Sequence, residues 1–123
     1  MSSVILAVDD STTMRQMVSH VLRQGGYKVL EAADAEAALE LARGRGVDAV
    51  LTDHHLPGMD GIELVRALRA LPEHARTPVV VLTTERSEEL RRAGRDAGAT
   101  GWMVKPFDPE RLLQMFGHLL ATA

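Results

Sequence analysis

The sequence predicts an α/β protein built on a parallel sheet of five strands with helices on both faces. Two observations carry this. Short, valine-rich apolar segments alternate with segments of helical period along the chain. The apolar segments are also near-continuous rather than alternating with polar residues, as strands buried on both faces are. A third observation bears on function: charged and reactive residues fall where the apolar segments end.

Val4–Val8 is the first strand. In the helix after it, Met14, Met17, Val18, Val21 and Leu22 recur at helical spacing, and Gly25-Gly26 ends it. Tyr27–Glu31 is a weaker strand, followed by an alanine-rich helix from about Asp34 to Arg43 that stops at a glycine. The third strand is Val47–Thr52. Asp60 begins the third helix, and Glu63 three residues on makes a capping box. Its core stripe is Ile62, Val65, Leu68 and Leu71. Pro78–Thr83 is the fourth strand. The fourth helix, about Arg86 to Ala97, is highly charged and carries Gly94 inside, so it is expected to be the least stable. Thr100–Val104 is the fifth strand, and Asp108-Pro109 supplies the N-cap and first residue of the fifth helix. That helix has apolar residues on more than one stripe (Leu112, Leu113, Met115, Phe116, Leu119 and Leu120). A single core face needs fewer, so some are expected to serve a partner or a dimer. Strand–helix units in series imply parallel pairing through right-handed crossovers.

A chain of 123 residues fits one domain. The absence of cysteine excludes disulfides, thiol chemistry and cysteine-based zinc sites, and fits a reducing compartment. No apolar run approaches the length of a membrane span. The N-terminus lacks the pattern of a secretory signal, so a cytoplasmic location with no membrane contact is expected. A net charge of -3 argues against general nucleic-acid affinity.

In open parallel sheets ligands bind beyond the carboxyl ends of the strands. Asp9-Asp10, Asp53, Thr83-Thr84 and Lys105-Pro106 stand there. Each alone has an ordinary explanation as a cap, a turn residue or a solvated loop charge. Together they put acids, hydroxyl and ammonium on one edge. Three adjacent carboxylates repel unless a cation joins them, and Mg²⁺ suits oxygen ligands and phosphate oxygens. A carboxylate can attack phosphorus, while the Lys105 ammonium and Thr83 hydroxyl match the charge on the transferring oxygens. Asp53-His54-His55 also has metal-ligand residue types, but an extended backbone cannot aim all of them at one ion. His20, His74 and His118 are scattered, so no zinc site is expected. Gly44-Arg45-Gly46 follows a helix and precedes a strand, the wrong context for a dinucleotide loop.

The segments "ILAVDDSTTMRQMV", "AVLTDHHLPGMDGIELV", "PVVVLTTE" and "MVKPFD" resemble, in order and spacing, the response-regulator receiver domain of two-component signalling, over the whole chain. The opening segment looks most like the single-domain chemotaxis regulators. The resemblance implies a flavodoxin-like three-layer (βα)5 sandwich with strand order 2-1-3-4-5. It implies one receiver domain over residues 1–123 with no output domain. Asp53 becomes the phosphoryl acceptor. Asp9 and Asp10 become the acidic pair that binds Mg²⁺ with Asp53 and the His55 backbone carbonyl, Asp10 being the more direct ligand; Mn²⁺ is an expected substitute. Lys105 binds a phosphoryl oxygen and is joined to Pro106 by a cis peptide. Thr83 and Trp102 become the switch pair.

Expected partners are a histidine kinase or phosphotransfer protein and a target protein on the surface from the fourth helix through the fifth strand to the fifth helix. Direct nucleic-acid contact is not expected, and the chain should be a monomer or weak dimer. It would catalyse only its own phosphorylation and dephosphorylation. Three residues depart from the family's commoner pattern. Trp102 stands where Tyr or Phe is usual, Thr84 where Ala or Gly is frequent, and His55 where Asn or Met is commoner. Thr84 and His55 are therefore expected to tune the phosphoryl lifetime. Two rivals are a Mg²⁺-dependent phosphohydrolase working through an aspartyl-phosphate and an interaction module independent of phosphorylation. The first wants Asp-x-Asp where Asp9-Asp10-Ser11 stands, and the second leaves the set Asp10, Asp53, Thr83 and Lys105 unexplained.

Overall fold

The strands β1 (Val4–Val8), β2 (Lys28–Ala32), β3 (Ala49–Asp53), β4 (Val79–Thr83) and β5 (Gly101–Val104) pair in parallel in the order β2-β1-β3-β4-β5. This computed structural model describes residues 2–44 and 46–121; Met1, Arg45, Thr122 and Ala123 lie outside the described residues. The middle residue of Gly44-Arg45-Gly46 and the expected boundary at Ala123 fall among these. The helices are α1 (Thr12–Gln24), α2 (Ala35–Ala42), α3 (Gly61–Arg69), α4 (Glu88–Ala97) and α5 (Pro109–Ala121). The order reverses direction between β1 and β3, so the carboxyl ends of those two strands flank the crevice where a ligand enters such a sheet.

Side-chain alternation divides the core between two faces. Leu6, Val8, Val50, Val79 and Val81 pack with α2 and α3 through Ala38, Ala42, Leu64, Val65 and Leu68. Ile5, Ala7, Leu51, Val80 and Leu82 pack with α1 and α5 through Val18, Leu22, Leu112 and Phe116. β3 and β4 are buried along their whole length, as their largely apolar sequences suit, with Thr52, Asp53 and Thr83 buried at their carboxyl ends.

The capping box of α3 forms as expected. Glu63 N–H donates to the Asp60 carboxylate at 2.8 Å, and Asp60 N–H donates to the Glu63 carboxylate at 3.0 Å. Three expectations need correction. Met17, placed on the core stripe of α1, is 51% exposed, and Ser19 is buried instead. β3 begins at Ala49 rather than Val47 because Asp48 is engaged with Val4. Its N–H donates to the Val4 carbonyl and its carboxylate accepts the Val4 N–H. α4 begins at Glu88 rather than Arg86, since the Ser87 hydroxyl caps it by accepting the Leu90 N–H. The further apolar residues of α5 are partly buried. Leu113, Met115, Leu119 and Leu120 pack against the second core cluster.

At the amino edge of the sheet, the Arg69 guanidinium closes α3 onto its neighbours. It donates to the carbonyls of His74, Thr77 and Gly98, tying the end of α4 to the start of β4.

Candidate functional site

Each strand end delivers one part. β1 runs into Asp9 and Asp10, β3 ends on Asp53, β4 ends on Thr83, and β5 runs into Lys105. Carboxylate oxygens of Asp9, Asp10 and Asp53 lie within 4.8 Å of one another. Asp9 and Asp53 are 5% and 6% exposed, whereas Asp10 faces solvent. The Lys105 ammonium sits between the two buried acids, 3.3 Å from Asp53 Oδ1 and 3.5 Å from Asp9 Oδ2. Lys105 thus pairs with both buried acids, while no ion pair is seen at Asp10 among the described residues. Burial raises the Asp9 carboxyl above the ordinary aspartate range, and the Ser11 N–H and Lys105 offset this only in part.

The donor set is suited to a hard cation, because its ligand atoms are all carboxylate oxygens. Asp53 Oδ1 adds a second reason. It is buried and, despite the Lys105 contact, accepts no hydrogen bond among the described residues. A buried carboxylate oxygen without a donor is costly unless something else satisfies it. No histidine ring belongs to this cluster among the described residues. His54 is 8% exposed, and its neighbour His55 points out and reaches Glu85, with Nε2 3.5 Å from Oε1. That contact links the loop after β3 to the loop after β4.

Thr83 is fully buried, and its hydroxyl accepts the Glu85 N–H at 3.1 Å. Lys105 N–H donates to the Thr83 carbonyl at 2.7 Å, so β4 and β5 are locked together beside the acids. Thr84 is exposed at the mouth. The Lys105–Pro106 peptide is cis. Trp102 is half-buried and packs toward the face that carries α4. There the structure holds a contact that sequence reasoning missed. A Cβ added to Gly94 of α4 would lie 2.6 Å from Cζ3 of Trp102. Gly94 is the seat of the indole rather than a weak point in an exposed helix. Gly61 does similar service at the acceptor, since a Cβ there would lie 2.5 Å from the Asp53 carbonyl oxygen. Both glycines stood in the sequence, but only the fold shows what each approaches.

A carboxylate cluster with a lysine stands at the reversal point of a doubly wound sheet, where α/β domains of this kind bind their ligands. The chain belongs to the response regulator receiver domain family, whose model matches residues 5–117. It is similar to the transcriptional regulatory protein SrrA of Staphylococcus aureus, 36% identical over 120 residues, which are 98% of this chain and 48% of that protein. The chain thus spans about half the length of that relative. Among solved structures, the chemotaxis protein CheY4 of Vibrio cholerae matches with a TM-score of 0.93 and 44% identity, over 97% of this chain and 99% of that one. The receiver domain of sensor histidine kinase PA1611 from Pseudomonas aeruginosa matches with a TM-score of 0.90 and 29% identity, over 98% of this chain and 99% of that one. That structure has a magnesium ion coordinated in its active-site cleft. This chain is accordingly a receiver domain of two-component signalling with the flavodoxin-like fold. No helix among the described residues is long and apolar enough to cross a membrane.

Proposed function

We propose that this receiver accepts a phosphoryl group on Asp53 from the phosphohistidine of a histidine kinase or phosphotransfer protein, in a Mg²⁺-dependent reaction. The observation that carries the proposal is the position of Lys105, whose ammonium lies 3.3 Å from Asp53 Oδ1 and 3.5 Å from Asp9. Asp53 is the nucleophile. As its carboxylate oxygen bonds phosphorus, the bond from phosphorus to the donor imidazole breaks, and the imidazole nitrogen keeps the electron pair. Lys105 then exchanges part of its contact with Asp53 for a phosphoryl oxygen. Asp9, Asp10, Asp53 and the His55 carbonyl would hold Mg²⁺. The bound ion would neutralise charge on the acids and on the phosphoryl oxygens. The protein does no further chemistry beyond losing the group again. Thr84 and His55, at the mouth of the site, set how fast water reaches it.

The read-out runs through Thr83. Its hydroxyl, now engaged with the Glu85 N–H, turns to a phosphoryl oxygen and releases the loop before α4. The indole of Trp102 rests on Gly94 and carries the change to α4. A groove between α4, β5 and α5 receives the target protein. Arg86, Arg91 and Arg111 line its rim, and Trp102, Met103 and Phe107 lie along its apolar part. Such a lining fits an acidic segment with an apolar face. Similarity to CheY4 favours a chemotaxis pathway and a cytoplasmic setting.

Beryllofluoride, a mimic of an acyl phosphate, tests both halves by NMR. With Mg²⁺ it should shift the amides of Asp53 and Thr83 and those of 87–104. Shifts confined to the acid cluster would sink the switch, and no binding at all would sink the acceptor site.

A further inference from the structure

We propose that Arg15 is a positioning residue for the cation site, fixing the turn that carries Asp9 and Asp10. The inference rests on the reading of that cluster as a Mg²⁺ site. Besides its ion pair with Lys105, Asp9 is held by three hydrogen bonds. Its N–H donates to the Ala32 carbonyl at 3.1 Å, and its carboxylate accepts the Ser11 N–H at 2.9 Å. Its own carbonyl accepts Nη1 of Arg15 at 2.7 Å, the shortest of the three. Arg15 reaches back from α1 to make this bond, and with Asp9 and Asp53 it lines a small void.

Arg15 is itself anchored. Its Nε lies 3.3 Å from Glu31 on β2, and its side chain is only 17% exposed. Glu31 is braced in turn by Arg23, 3.4 Å from its other oxygen. A planar guanidinium can serve a carbonyl and a carboxylate with different nitrogens at once, which an ammonium does poorly from one fixed position. Glu31 is shared between Arg15 and Arg23, and the effect proposed for Arg15 works through the geometry of the turn at Asp9. The need for it is electrostatic. With three carboxylates converging, the exposed turn at Asp10 would relax outward before a cation arrives. A tied backbone leaves less reorganisation to be paid for on binding.

The test uses the full chain, with Mg²⁺ titrated by calorimetry and stability measured separately by urea in EDTA. Arg15→Met should raise the Mg²⁺ dissociation constant about 10-fold, the lower end of what partners of ligands typically contribute. Glu31→Gln should raise it less and in the same direction. Arg15→Lys should restore only part of the affinity. Phosphorylation by acetyl phosphate at saturating Mg²⁺ should stay within about 2-fold of wild type, a loss in binding rather than in chemistry. A merely structural role would lower the urea midpoint and leave the Mg²⁺ constant alone, which would overturn the proposal. If Arg15→Met does not fold, Glu31→Gln decides: an unchanged Mg²⁺ constant overturns it. Wild-type protein that binds no Mg²⁺ would remove the cation site itself, and the role of Arg15 with it.

Discussion

Replacing Gly94 with alanine separates a helix effect from a packing effect. In an exposed helix interior the change stabilises by about 1 kcal/mol, because glycine loses more backbone freedom on folding. At this position the new methyl group would sit 2.6 Å from Cζ3 and 3.0 Å from Cε3 of Trp102, so the indole must move. Overpacking of this kind costs about 1–3 kcal/mol. The two terms leave Gly94→Ala about 0–2 kcal/mol less stable than wild type. In a Trp102→Ala background the obstruction is gone, and the same change should stabilise by about 1 kcal/mol. The coupling between the positions is then about 1–3 kcal/mol, read from urea unfolding of the four proteins by linear extrapolation. A gain of about 1 kcal/mol in both backgrounds would refute the seat.

Gly61→Ala should cost about 1–3 kcal/mol in urea unfolding and slow phosphorylation as well, since the added carbon meets the Asp53 carbonyl rather than a movable side chain. Normal stability and rate would contradict the close approach. Asp9 gives a pH signature without Mg²⁺. Its folded pKa is raised, mainly by burial, so the native state holds the proton more tightly than the unfolded chain. The stability this contributes is full below the unfolded value and is lost as pH rises through the raised folded value. Asp9→Asn should therefore be more stable than wild type at neutral pH, with the difference shrinking in acid; a difference independent of pH would contradict this. Thr84→Ala should speed loss of the phosphoryl group several-fold by opening the mouth to water, roughly 1 kcal/mol in barrier. His55→Asn should also change the rate, because the His55–Glu85 contact spans the mouth. Hydrolysis rates near wild type for both would remove the tuning role.

The sheet was legible because β3 and β4 are buried on both faces and are apolar up to the polar residues at their carboxyl ends. The site was legible because the strand ends of such a sheet share an edge, so Asp9, Asp53, Thr83 and Lys105 could be gathered before any distance was known. Errors arose where a single side chain overruled the pattern. Asp48 delays β3 by pairing with Val4, and Ser87 delays α4 by capping it. The Ser87 signal was present in the sequence and was overlooked beneath the charge of the segment. Met17 satisfies the helical period yet lies outside the core, since periodicity gives a face and not its width. The Gly94–Trp102 contact and the chain from Arg23 through Glu31 and Arg15 to Asp9 join separate elements. No local pattern marks such contacts.

Phosphorylation chemistry at Asp53 is the centre of the account, and peptide mapping after incubation with Mg²⁺ and acetyl phosphate tests it most directly. One phosphoryl group per chain should appear, confined to the peptide containing Asp53, dependent on Mg²⁺, released by hydroxylamine as an acyl phosphate is, and absent from Asp53→Asn. Label that survives Asp53→Asn, or that resists hydroxylamine, would contradict it.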